Sequence, residues 1–221
     1  LTAGFVIGPG ASKQVLIRAI GPTLGAFGVP GSLADPILTV FDGSGKVVAT
    51  NDNWLAADAP TFTSVGAFSL PANSKDSALV TTLAPGLYSA QVAGANNTSG
   101  TVLVEVYELG STGAKLTNLS SRLQVTSGQT PIIGLVVAPG SGTRKLLVRA
   151  SGPALAAFGL SGTLDDPTLK VTSSTGTSLA TNDNWSTPSD TRAADATVLG
   201  NAFGSAGAFS FANSSKDAAL L

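Results

Sequence analysis

The chain repeats itself. Residues 4–80 return in the same order as residues 134–221. Ala49-Thr50-Asn51-Asp52-Asn53-Trp54 recurs as Ala180-Thr181-Asn182-Asp183-Asn184-Trp185, and Arg18-Ala19-Ile20-Gly21-Pro22 as Arg149-Ala150-Ser151-Gly152-Pro153. Gly66-Ala67-Phe68-Ser69 matches Gly207-Ala208-Phe209-Ser210, and Lys75-Asp76 matches Lys216-Asp217. Tandem copies of one folding unit are the expected cause of such a period. The 221 residues then divide into a first repeat over 1–109, a linker over 110–114 and a second repeat over 115–221. The first copy continues past Val80 into Pro85-Gly86-Leu87-Tyr88 and Val102–Tyr107, whereas the second stops at Leu221, so the second repeat is expected to lack its last strands and the first its leading segment.

Short period-2 runs alternate with turn signals. Val102, Val104 and Val106 share one face of an extended segment, as do Tyr88, Ala90 and Val92. Gly4–Gly8, Lys13–Ile20, Ile37–Phe41, Lys46–Thr50 and Ser77–Thr82 are further strand candidates, and Asp42-Gly43-Ser44-Gly45 reads as a hairpin turn. Pro22–Phe27 suits one helical turn; no amphipathic helix of ten or more residues is expected, and the extra residues of Ser186–Ser205 read as a longer surface loop. Many short strands with frequent turns predict an all-β chain of two tandem antiparallel β-sandwiches of jelly-roll type.

Composition removes several functions. Net charge is −1 and 11% of residues are charged, which excludes the basic footprint of a nucleic-acid binder. No apolar run reaches the roughly 20 residues of a membrane-spanning helix. Cysteine, histidine and methionine are absent, which rules out disulfides, Cys/His zinc sites and the usual catalytic triads, and suits an extracellular or cell-surface location. A weakly charged, apolar surface favours self-association.

Asp35-Pro36 before Leu38-Thr39-Val40-Phe41, then Gly43-Ser44-Gly45, Val48–Asn53 and Leu83-Ala84-Pro85-Gly86-Leu87-Tyr88, resembles bacterial pre-peptidase C-terminal type β-sandwich repeats of large secreted or surface proteins. The resemblance covers most of the first copy and about two-thirds of the second. It implies a jelly-roll-like, extracellular, non-catalytic module, in some members calcium-binding.

Candidate sites follow the repeat. Asp35, Asn51, Asp52 and Asn53, with Asp166, Asn182, Asp183 and Asn184, offer oxygen ligands that suit calcium; the same side chains also cap turns through backbone bonds. Trp54 and Trp185 would stack on sugar rings if exposed, or anchor the core if buried. Arg18 and Arg149 lie inside apolar strand segments and require partners, with Asp35 and Asp166, or Asp52 and Asp183, as candidates. Lys75-Asp76 and Lys216-Asp217 read as charges guarding a strand edge. The function expected is a non-catalytic structural repeat that builds a fibre, sheath or surface assembly by repeat-to-repeat packing and strand complementation; the alternative is a carbohydrate- or surface-binding adhesive module.

Overall fold

The computed structural model describes residues 1–126, 128, 130–137 and 143–221. The chain is predominantly β, with antiparallel sheets. It divides into two compact units, Leu1–Gln124 and Val125–Leu221.

The first unit contains strands β1 (Thr2–Ile7), β2 (Lys13–Ile20), β3 (Pro36–Asp42), β4 (Val47–Asn51), β5 (Ser77–Leu83), β6 (Gly86–Gly94), β7 (Leu103–Glu108) and β8 (Leu116–Arg122), with a short helix, α1 (Ala59–Ser64). They form a five-stranded sheet ordered β4-β3-β6-β1-β8 and a three-stranded sheet ordered β5-β2-β7. The period-2 faces of the two sheets meet in one core: Phe5 and Ile7 from β1, Val15 and Ile17 from β2, Leu38 and Val40 from β3, and Ala90 and Val92 from β6. β2 is buried on both faces. Its other side, Leu16 and Ile20, packs against Trp54, Phe62, Ala67 and Leu70 in the loop-and-helix layer. A central strand covered on both sides reads as a continuous apolar run rather than an alternating one, and Val15-Leu16-Ile17-Arg18-Ala19-Ile20 has that character apart from Arg18.

Strands lie where the period-2 segments predict them, and Asp42–Gly45 closes the β3–β4 hairpin, with the Asp42 carboxylate accepting from the Ser44 and Lys46 amides. The division between units falls elsewhere than the expected linker. Residues 110–114 are held to the first unit: the buried Lys13 donates from Nζ to the carbonyls of Gly110 (2.8 Å) and Thr112 (3.0 Å), and Ala114 is buried in the core. Leu116–Arg122, expected in the second repeat, pairs with β1 and ends the five-stranded sheet.

The second unit contains β9 (Val148–Ala150), β10 (Leu169–Thr172), β11 (Ser178–Asn182), β12 (Ala218–Leu220) and one further helix, α2 (Ala196–Ser205). β10 pairs with β11 and β9 with β12. Where a surface loop was expected over Ser186–Ser205, α2 forms. Asp195 caps it by accepting from the Val198 amide at 2.9 Å, and Leu199 and Phe203, one turn apart on one face, are buried against Trp185 and Phe211.

Candidate functional site

Both units build the same buried node from repeated residues. In the first, Gly21 precedes the 3-10 turn Pro22–Phe27. The fully buried Asp76 closes that turn: its carboxylate accepts from the Gly21 amide at 2.7 Å, the Thr23 amide at 3.3 Å and the Thr23 hydroxyl. In the second, Asp217 accepts from the Gly152 amide at 2.6 Å and the Ala154 amide at 3.1 Å, ahead of the turn Pro153–Phe158. Alanine replaces Thr23 there, and the Ser215 hydroxyl supplies the missing donor. The repeated aspartates are therefore buried turn caps, not guards of an exposed edge. The glycines are required by close approach: a Cβ at Gly21 would stand 2.0 Å from the Leu33 carbonyl oxygen, and one at Gly152 2.1 Å from that of Leu164.

The Asn-Asp-Asn-Trp loops fasten this node to the neighbouring strand. Asn51 accepts from the Ala78 amide at 3.0 Å and donates to the Asn53 carbonyl at 3.0 Å. Asn182 accepts from the Ala219 amide at 3.1 Å and donates to the Asn184 carbonyl at 3.4 Å. Their oxygens are thus committed to backbone amides. The carboxylates nearby face lysine: Lys75 donates to Asp35, and Lys216 to Asp166 at 2.6 Å. Hydrogen bonding to Asp35 and the charges of Asp35 and Asp52 hold the Lys75 amine above its ordinary value. Lys216 is raised likewise by Asp166, then Asp183 and Asp165. Among the described residues no three acidic side chains gather as a metal site.

Trp54 and Trp185 are core residues. Trp54 is 9% exposed, donates from Nε1 to the Pro71 carbonyl and Ser74 hydroxyl, and lies 5.6 Å from the Phe62 ring. Trp185 is 5% exposed, donates to the Ala212 carbonyl at 3.0 Å, and packs on Phe203 and Phe211. Rings held this way offer no free face to a sugar.

The two arginines differ. Arg18, on β2, is fully buried. It donates from Nε (2.9 Å) and Nη2 (2.6 Å) to Oε2 of Glu105 on β7, and from Nη1 to the Phe68 carbonyl at 2.6 Å. Its guanidinium stands over Phe62, Phe68 and Tyr107. The Tyr107 hydroxyl donates to Oε1 of Glu105 at 2.7 Å; burial first, then Glu105, pushes the phenol well above its ordinary value. A buried pair with its polar atoms partnered in this way is tolerable. Its partner is neither Asp35 nor Asp52, because Glu105 is the Cα partner of Arg18 in the β2–β7 register. Arg149, the corresponding residue on β9, stands over Phe203, Phe209 and Phe211 at 4.6, 4.2 and 3.9 Å. Among the described residues its buried Nε and Nη2 have no hydrogen-bond partner. Burial lowers its pKa, with the Asp217 charge acting in the opposite direction.

No protein-family model matches this sequence, and neither a curated protein nor a solved structure is significantly similar to it.

Proposed function

We propose that the chain is a non-catalytic, extracellular structural protein made of tandem β-sandwich repeats, which assembles by packing repeat against repeat. The observation that carries this reading is a set of matched apolar positions with opposite exposure. Phe5, Ile7 and Leu33 are 2%, 1% and 3% exposed, whereas their counterparts Leu135, Val137 and Leu164 are 53%, 52% and 44% exposed. Ile132 and Val136, in the same segment, are 89% and 92% exposed. Apolar surface on this scale favours association, because each apolar Å² removed from water contributes about 25 cal/mol. In the first unit these positions share one core with residues of β2, β3, β5 and β6, so sandwich elements of another repeat have the matching chemistry.

Light scattering across protein concentration, beside electron microscopy of the same samples, tests this. Concentration-dependent growth into regular assemblies is the expected result. A dispersed monomer throughout would refute assembly and move the weight to the adhesive reading, which glycan-binding assays then address.

A further inference from the structure

In the first unit β2 is paired on both edges, with β5 on one side and β7 on the other. In the second, β9 pairs with β12 in the same register, Ala219 opposite Arg149 as Ala78 is opposite Arg18. Among the described residues nothing pairs with the other edge of β9. That edge is the one β7 occupies on β2, and β7 brings Glu105 to Arg18. The first unit's own β7 is already committed to β2. The second unit thus combines an open strand edge with a cation over three aromatic rings and two buried N–H-bearing nitrogens without acceptors.

We propose that the free edge of β9 is a docking site for one extended polypeptide strand of the β7 type, apolar at alternate positions with a central glutamate in register with Arg149. The inference deepens the assembly reading and rests on it. Strand addition supplies backbone hydrogen bonds that are indifferent to sequence. The Arg149 guanidinium supplies selection: an apolar strand without a carboxylate would seal an unpaired charge into the interface, which is costly. A strand with the glutamate one position out of register would point the carboxylate to the opposite face of the sheet.

The test is binding of a fluorescent peptide with the sequence of residues 99–110 to the 221-residue chain, beside the same peptide carrying Glu105→Gln. The expected result is that the glutamine peptide binds about ten- to a hundredfold more weakly, the range for a charge-assisted hydrogen bond. The difference should vanish on an Arg149→Met chain, and the amides of Val148–Ala150 should gain exchange protection when the glutamate peptide is bound. Absence of binding at about 1 mM peptide, equal binding of the two peptides, or discrimination retained by Arg149→Met would each overturn the proposal. Discrimination without regular assemblies would refute the assembly reading alone. Regular assemblies unaltered by Arg149→Met, with no peptide discrimination, would refute the docking site alone.

Discussion

Arg18 and Arg149 occupy equivalent positions in the repeat, yet the same substitution should affect them differently. Arg18→Met removes the donor from the Glu105 carboxylate and from the Phe68 carbonyl and leaves a largely buried carboxylate behind. Breaking one side of a buried ion pair costs about 3–5 kcal/mol. For a unit the size of Leu1–Gln124, at about 4 °C per kcal/mol, the midpoint should fall by about 12–20 °C. Arg149→Met breaks no hydrogen bond of the described residues. It gives up cation–π attraction of roughly 0.5–2 kcal/mol and recovers a desolvation cost of similar size, so its effect should lie within about 1 kcal/mol of zero. Thermal unfolding reads each unit separately: Trp54 fluorescence in a Trp185→Phe background for the first, Trp185 fluorescence in a Trp54→Phe background for the second. A double variant, Arg18→Met with Glu105→Leu, should recover part of the loss, because no charge is then stranded. Equal losses at the two arginines would refute the claim that Arg149 lacks its partner.

Gly21→Ala and Gly152→Ala should each cost about 2 kcal/mol or more, since the added methyl falls on a carbonyl oxygen in both units; urea midpoints within error of the parent would contradict this. Burial pushes the Glu108 carboxyl up, but the Leu116 amide and the Lys115 and Lys13 charges outweigh it and hold it below its ordinary value. Its contribution is therefore complete above the unfolded glutamate value, about 4.3, and is lost as pH falls through the lower folded value. Exchange protection at the Leu116 amide, which donates to Glu108 at 2.5 Å, should decline below about pH 4, and Glu108→Gln should abolish that pH dependence. Lys75 and Lys216 already neutralise the acidic side chains beside the Asn-Asp-Asn-Trp loops, so calcium at about 1 mM should move neither unfolding midpoint; a reproducible rise in either would restore those loops as metal sites.

The strands of the first unit were legible because alternation is a local signal. Val102, Val104 and Val106 announce one face of β7 without reference to anything else, and Asp42–Gly45 announces its turn. What stayed hidden depends on pairing. Arg18 could be seen to require a partner, but Glu105 lies 87 positions away and meets it only through the β2–β7 register. β8 carries no such signal, because Leu116–Arg122 is a largely exposed edge strand with a mostly polar sequence. α2 did leave a trace: the Asp195 cap and the one-turn spacing of Leu199 and Phe203 are both in the sequence, obscured by flanking Ser, Thr and Ala. Asp76 and Asp217 looked like surface charges because the donors they serve, at Gly21 and Gly152, are distant in sequence and lie on backbone amides.

A charged pair inside a strand as apolar as β2 calls for an explanation other than stability, since well-packed apolar residues would do as well or better. Register supplies one. The neighbours of Arg18 on β2 are Val15, Leu16, Ile17, Ala19 and Ile20, and an apolar β7 could slide along such a surface by two residues and keep its valine face on the core. The Arg18–Glu105 bond forms in one alignment. A one-residue slip turns Glu105 to the opposite face, which in this unit is the core between the sheets, and a two-residue slip pulls it away from the guanidinium. Val104 and Val106 are thereby fixed on the core side and Tyr107 stays under the cation. On the second edge of β9, unpaired among the described residues, the same selection would fall to Arg149. A strand there with a glutamate opposite Arg149 would be distinguished from one that merely adheres.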